Sequence, residues 1–226
     1  MQTIMVNWKT AGKHHRQWLQ HHELRHQIFV DRLGWDVGSY EGLEFDEFDT
    51  PAAHYVLCLD DNRNVVGVSR LVSTEQPYMI EKLWPDWLQG ELPKSDVIWE
   101  ATRFGVCNVL NAEQRAAAID AITRRIFRYG QENGIEEFLL VMPVFIYKRI
   151  LIPRGYDLEI VSSVRRVDQL NSAIARVRIP QVDEAPTTVV HRTRAARIAT
   201  AMQSGARAAY ATMRSRVLAD RSIFVR

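Results

Sequence analysis

The sequence predicts a three-layer α-β-α domain with a mixed sheet. Three observations lead there. Apolar runs of strand length recur at 55–59, 65–72, 97–106 and 137–144. One long amphipathic segment, 112–133, lies between the last two of them. Turn residues punctuate the intervals. At 226 residues, 46% hydrophobic and 25% charged, the chain can bury a full core without disulfides or metals.

The elements follow in order. Residues 16–33 read as a helix, with Leu19, Leu24, Ile28 and Phe29 near helical spacing and Gly34 as its stop. Residues 34–49, rich in glycine and acids, read as a loop. The runs 55–59 and 65–72, joined by Asp60-Asp61-Asn62-Arg63-Asn64, predict an antiparallel hairpin. Residues 79–88 suit a short helix interrupted by Pro85, and 97–106 a strand. In 112–133, Ile119, Ile122, Ile126 and Tyr129 share one helical face, with Gly134 just past the end. Residues 137–144 are apolar enough for a central strand covered on both faces. A helix over 144–151 should end near Pro153 and Gly155, and 160–167 and 172–179 read as late strands.

Beyond Pro180 the composition changes. Residues 181–188 resemble a linker, and 189–218 an Ala/Arg-rich helix with a loose apolar stripe. From Asp183 onward there are eight arginines and three acids, a balance of +5; the whole chain carries +2, so the preceding residues carry −3. We therefore expect a body of 1–180 and a basic extension of 181–226. That charge is too modest to predict a nucleic-acid partner. No apolar run suits a membrane span, and Met1-Gln2-Thr3-Ile4-Met5 is no secretory signal. Cys58 and Cys107 read as reduced, packed thiols, which suits the cytoplasm. His14, His15, His21, His22 and His26 cluster, but no nearby acid or cysteine completes a ligand shell, so they read as a solvated face and no metal is expected. Glycine-rich phosphate loops are absent.

Chemistry concentrates in three segments. Trp99-Glu100-Ala101-Thr102-Arg103-Phe104 sets a carboxylate and a guanidinium in a strand-like run. Arg70 should share a strand face with Val66, Val68 and Val72, and needs carboxylate partners there; Asp46, Asp49 and Glu100 are the candidates. Regular alternation puts Arg103 on the face opposite Glu100, unless a bulge intervenes. A buried Glu100 can act as a base or hold a substrate amino group. Arg25 and Phe29 share a helical face, and Phe29 with Trp35 can pack as core or hold a cationic or adenine-bearing ligand.

Taken in order, Arg25, Phe29, Trp35, Asp46, Asp49, Arg70, Glu100 and Arg103 resemble the signature of the autoinducer synthases that make N-acyl-homoserine lactones. Thr102 stands where Ser is common, and Trp84 where Phe is usual. The likeness runs from about residue 20 to 160. It implies a fold similar to the Gcn5-related N-acetyltransferases, and an enzyme without a cofactor. Two substrates are implied, S-adenosylmethionine and an acyl thioester carried by acyl-carrier protein or coenzyme A. It further implies that Arg25, Phe29, Trp35, Asp46, Asp49 and Arg103 bind adenosylmethionine. Glu100, Arg70 and Asp46 then serve catalysis, with Glu100 as base.

For the acyl group, Met142, Pro143, Val144 and Phe145 are expected in the pocket wall. Some relatives place a Thr there for 3-oxo chains; this sequence offers no hydroxyl, so an acyl group without a 3-oxo substituent is expected. Lys148, Arg149 and Arg154 are the expected contact for an acidic carrier or coenzyme A phosphates. Two rivals stand beside this reading. An ordinary N-acetyltransferase would want a glycine-containing pyrophosphate loop, and 107–118 has no glycine. A non-catalytic binding relative would not need the full charged set.

Overall fold

The computed structural model describes residues 1–180, apart from Gln89 and Asp168. The expected extension, 181–226, lies outside the described residues. The strands are β1 (Gln2–Asn7), β2 (Ser39–Tyr40), β3 (Leu43–Glu44), β4 (His54–Leu59), β5 (Val65–Ser73), β6 (Ile98–Val106), β7 (Glu137–Pro143), β8 (Leu158–Ile160), β9 (Arg165–Val167) and β10 (Leu170–Arg178). The helices are α1 (His15–Arg25), α2 (Met79–Leu83), α3 (Ala112–Glu132) and α4 (Val144–Ile146).

The main sheet runs β1-β4-β5-β6-β7-β10-β8, with β9 also on β10. Every pairing is antiparallel except β6 with β7. That parallel pair is joined through α3, as a parallel connection requires. Its register spans only Ile98↔Glu137 to Ala101↔Leu140. Beyond those residues both strands continue unpaired with each other, so they part at their C-terminal ends.

α3 is fixed by its sequence. Asn111 caps it, accepting from the Gln114 amide at 2.9 Å while Gln114 returns a side-chain bond to the Asn111 amide at 3.1 Å. Its buried face (Ala118, Ile122, Ile126, Tyr129) packs on Val56, Leu71, Ala101, Phe138 and Leu140. A Cβ on Gly67 would stand 2.7 Å from Ile122 Cδ1, so the absent side chain lets helix and sheet approach. On the other face, Leu24, Ile28 and Phe29 meet Tyr55, Leu57, Val68 and Val72.

Several expectations need correction. The first helix continues past α1 as a wider π turn, His26–Arg32. The acidic loop contains the small β2-β3 hairpin, and β1 was not foreseen. The expected strand at 160–167 is two short strands, β8 and β9, each on β10. The expected helix at 144–151 is one turn of α4 followed by a π turn, Tyr147–Leu151.

We expect Ile122→Ala to lower unfolding stability by about 2–5 kcal/mol, the range for truncating a large buried aliphatic. The urea midpoint measures this, with the slope of the transition unchanged.

Candidate functional site

β6 carries a bulge at Arg103. Val68 pairs with Gly105 and Arg70 with Thr102, leaving one extra residue on β6, and Arg103 takes the left-handed φ of 51°. Alternation therefore breaks. Glu100, Thr102 and Arg103 all face the α1 side, whereas Phe104 and Val106 turn toward α3. Strict alternation without the bulge would place Phe104 and Val106 on the face of Glu100. A second shift, between Cys58 and Leu59, turns Val66 to the α3 side, so Arg70 shares its face with Val68 and Val72 alone.

Three arginines meet three carboxylates on the α1 side. Arg25, wholly buried, donates through Nε to Glu44 and through Nη1 and Nη2 to Asp49 at 2.7 and 2.8 Å. Arg70 donates through Nη1 to Asp46 and, at 2.9 Å, to Asp49. Arg103 Nη2 lies 3.0 Å from Glu44 Oε1 and 2.7 Å from Asp46 Oδ2. Tyr55 donates to Asp49 at 2.7 Å. Burial alone would lower the Arg25 proton affinity and raise that of Asp49. The hydrogen bonds and charges between them outweigh burial, holding Arg25 above its ordinary value and Asp49 well below the carboxylate range. Arg70 Nη2 is buried without a hydrogen-bond partner.

Aromatic rings line one side. Phe29 and Trp35 stack with centroids 5.0 Å apart and planes at 21°, and the Arg103 guanidinium lies 5.3 Å from the Phe29 centroid and 6.0 Å from that of Trp35. Arg70 lies over Phe48 at 5.5 Å.

Glu100 sits on the same face but bonds none of the three arginines. Its oxygens accept from the amides of Met79 at 3.0 Å and Ile80 at 2.7 Å, which anchors the start of α2. Arg103 Nη1 in turn donates to the Met79 sulfur at 3.5 Å. Burial pushes the Glu100 carboxyl up to about 7, against the downward pull of the Ile80 and Met79 amides.

An apolar cavity opens on the α3 side. It spans about 510 Å³, part of it open to solvent, between Phe104, Met142 and Ile146 at one end and Phe127, Phe138 and Tyr156 at the other. Of Met142, Pro143, Val144 and Phe145, only Met142 lines it, and Phe145 is 46% exposed. Lys148 and Arg149 are exposed, whereas Arg154 is turned onto α3 and donates to Asp120 at 2.5 Å.

Sequence reasoning left Glu44 out of the site, although it bridges Arg25 and Arg103. The signal was its place two residues before Asp46 in an acidic run. The histidines are not a solvated face: His21 is fully buried among the rings of Trp18, His22 and Tyr55, and His22 Nδ1 bonds the Glu44 carbonyl at 2.8 Å. Among the described residues no helix is long and apolar enough to cross a membrane.

Residues 10–189 match the family model for autoinducer synthases. The chain belongs to the autoinducer synthase family. An acyl-homoserine-lactone synthase of Aeromonas salmonicida is 36% identical over 160 residues, covering 66% of this chain and 76% of that one. The structure of the acyl-homoserine-lactone synthase LasI is 26% identical with a TM-score of 0.71, covering 79% of this chain and 90% of that one. The coenzyme A-dependent synthase BjaI, solved with S-adenosylmethionine and isopentyl-coenzyme A, is 24% identical with a TM-score of 0.69, covering 78% and 82%. An acyl-coenzyme A N-acyltransferase of Pseudomonas aeruginosa shares the fold at 11% identity, with a TM-score of 0.51 and coverage of 78% and 99%. The autoinducer synthase is thus an acyltransferase of the acyl-homoserine-lactone class on an N-acetyltransferase-like fold.

Two predictions follow from the charges. Glu44→Gln should destabilise the synthase by about 3–5 kcal/mol, because it leaves buried arginine donors without their counter-charge; chemical denaturation reads this. Glu100 holds a proton in the folded state that the unfolded chain releases above its ordinary 4.5. Its contribution to stability is therefore full below pH 4.5 and lost as pH rises through about 7. Thermal melts should show the wild type losing stability relative to Glu100→Gln across that window. A gap independent of pH would refute the assignment.

Proposed function

We propose that this synthase acylates the amine of S-adenosylmethionine from an acyl thioester and closes the lactone, releasing methylthioadenosine. The observation that carries the reading is the buried network of Arg25, Arg70 and Arg103 with Glu44, Asp46 and Asp49, walled by stacked Phe29 and Trp35 and lying across the sheet from an apolar cavity. Adenosylmethionine carries an ammonium, a carboxylate, a sulfonium and an adenine. A site that holds it needs carboxylates, guanidinium groups and aromatic faces together. Arg70 Nη2, a buried donor without an acceptor, is a further place where a ligand acceptor would lower the energy.

In this reaction the amine loses a proton and attacks the thioester carbonyl. The nitrogen–carbon bond forms as the carbon–sulfur bond breaks, and the thiolate leaves with a proton. The methionine carboxylate then attacks its own γ carbon, and the sulfonium departs as neutral methylthioadenosine. Arg25, Phe29, Trp35, Asp46, Asp49 and Arg103 bind and orient adenosylmethionine, with Arg70 and Asp46 closing the charged lattice. Glu100 takes the amine proton. Its raised proton affinity suits that task, and a relay through water leaves its bonds to Met79 and Ile80 in place. Much of the rate then comes from holding two substrates in reacting geometry.

The acyl chain occupies the apolar cavity, which it reaches where β6 and β7 part. Thr123, a hydroxyl in its lining, donates to the Ile119 carbonyl at 2.7 Å and has no second proton to offer. The other hydroxyl of the lining, that of Tyr156, stands at the far end, so a 3-oxo oxygen close to the thioester would meet no side-chain donor, and the acyl group carries none. BjaI is described as coenzyme A-dependent, and exposed Lys148 and Arg149 suit either coenzyme A phosphates or an acidic carrier protein. Arg154, committed to Asp120, drops out of that contact.

The test is incubation with S-adenosylmethionine and a panel of acyl-coenzyme A and acyl-carrier thioesters, with products read by mass spectrometry. We expect acyl-homoserine lactone and methylthioadenosine in equal amounts. Acylated amine without methylthioadenosine would overturn the lactonisation step, and a dominant 3-oxoacyl product would overturn the assignment of the acyl group.

A further inference from the structure

We propose that the ring pair of Phe127 and Tyr156 is the floor of the apolar cavity and sets the longest acyl chain the synthase accepts. This rests on the reading that the chain lies in that cavity.

The direction of the cavity follows from the topology. α3 runs antiparallel to β6 and β7. At its middle, Ile122 Cδ1 stands above Gly67, which pairs with Val106 near the C-terminal end of β6. Near its end, Tyr129 packs edge-on to Trp99 with centroids 5.9 Å apart. Ile119 therefore lies toward the C-terminal ends of the strands, where β6 and β7 part and where Arg103 stands on the opposite face. Phe127 lies toward their beginnings. Phe138 and Val177, opposite each other in register, line that same far end. A thioester reacting near Arg103 enters beside Phe104 and Met142, and its tail runs toward Phe127.

The floor there is built rather than incidental. The Phe127 and Tyr156 rings lie 4.4 Å apart at 32°. Tyr156 reaches this place because a 3-10 turn, Ile152–Arg154, ends at Gly155 with a left-handed φ of 82°. Arg154 clamps the turn to α3, donating to Asp120 at 2.5 Å and to the Ile150 carbonyl at 2.9 Å. On the far side, the Asp157 carbonyl accepts from the Arg178 amide at 3.0 Å, which ties the next residue to β10. Arg154, from this position, acts on chain length through Tyr156 and is a positioning residue.

Both rings are only half-buried, so trimming one should leave the fold intact. The experiment compares wild type with Phe127→Ala and Phe127→Trp over a graded series of straight-chain acyl-coenzyme A thioesters. It reads kcat/KM and, separately, binding of non-reactive thioether analogues by titration calorimetry. For Phe127→Ala we expect the preference for a chain two carbons beyond the wild-type optimum to rise by about tenfold or more, the scale at which apolar pockets discriminate methylenes. Phe127→Trp should move the optimum to shorter chains. Tyr156→Phe, which keeps the ring, should leave the profile unchanged. If Phe127→Ala, with native near-ultraviolet dichroism, keeps the wild-type length profile in both readouts, this inference is wrong while the synthase reading stands. If wild-type binding is independent of chain length, the placement of the acyl group in the cavity fails, and the inference with it.

Discussion

Three guanidinium groups lie under one face of this sheet, and they can lie there only because Glu44, Asp46 and Asp49 come to meet them. A charge taken out of water without a partner costs several kcal/mol, so neither set is tolerable without the other. The constraint reaches well beyond the site. It dictates that the acidic segment after α1 folds back over β5 and β6. It also requires that α1 end with Arg25 pointing inward. The network joins α1, the acidic segment, β5 and β6, four separate pieces of chain. Its six groups are connected through shared carboxylates, Glu44, Asp46 and Asp49 each serving two arginines, so it acts as a lattice rather than as three pairs.

The sheet divides the work of the enzyme. On one side stand fixed charges and aromatic faces; on the other is an apolar cavity floored by rings. Each side alone is ordinary, and N-acyltransferases of different substrate classes can share the layers. The two meet only where β6 and β7 separate, past Ala101 and Leu140. A parallel pair that stayed in register to its end would close that passage with backbone hydrogen bonds. The early end of pairing is therefore as much a part of the site as any side chain.

Much of this was legible in the residues. The layered fold, the hairpin of β4 and β5, and α3 with its buried face followed from periodicity and turn residues, because those elements are long and their apolar positions regular. The complementary charges of Arg70, Asp46, Asp49 and Arg103 were legible as a group, since buried charge must be matched. What stayed hidden was set by tertiary geometry. Glu44 looked like one acid among several because nothing local distinguishes a bridging carboxylate from a solvated one. The anchoring of α2 by Glu100 depends on amides 21 and 20 residues upstream. Arg154, basic and near other basic residues, read as surface charge, and only the packing of its turn against α3 assigns it to Asp120. The histidines misled for a related reason, since an aromatic cage around His21 leaves no trace in the spacing.

The bulge at Arg103 has one more implication. Everything before it on β6 keeps one orientation, and everything after it keeps the other, so the extra residue acts as a phase shift in the strand. Residue identity near it has some latitude, since a hydroxyl at position 102 serves whether it comes from Thr or Ser. Residue count has none. Deleting one position between Glu100 and Phe104 would restore perfect pairing with β5 at the expense of Arg103, and inserting one would turn Gly105 away from Ile28 and a larger neighbour toward it. In this strand the length of the motif is thus a harder inheritance than its letters.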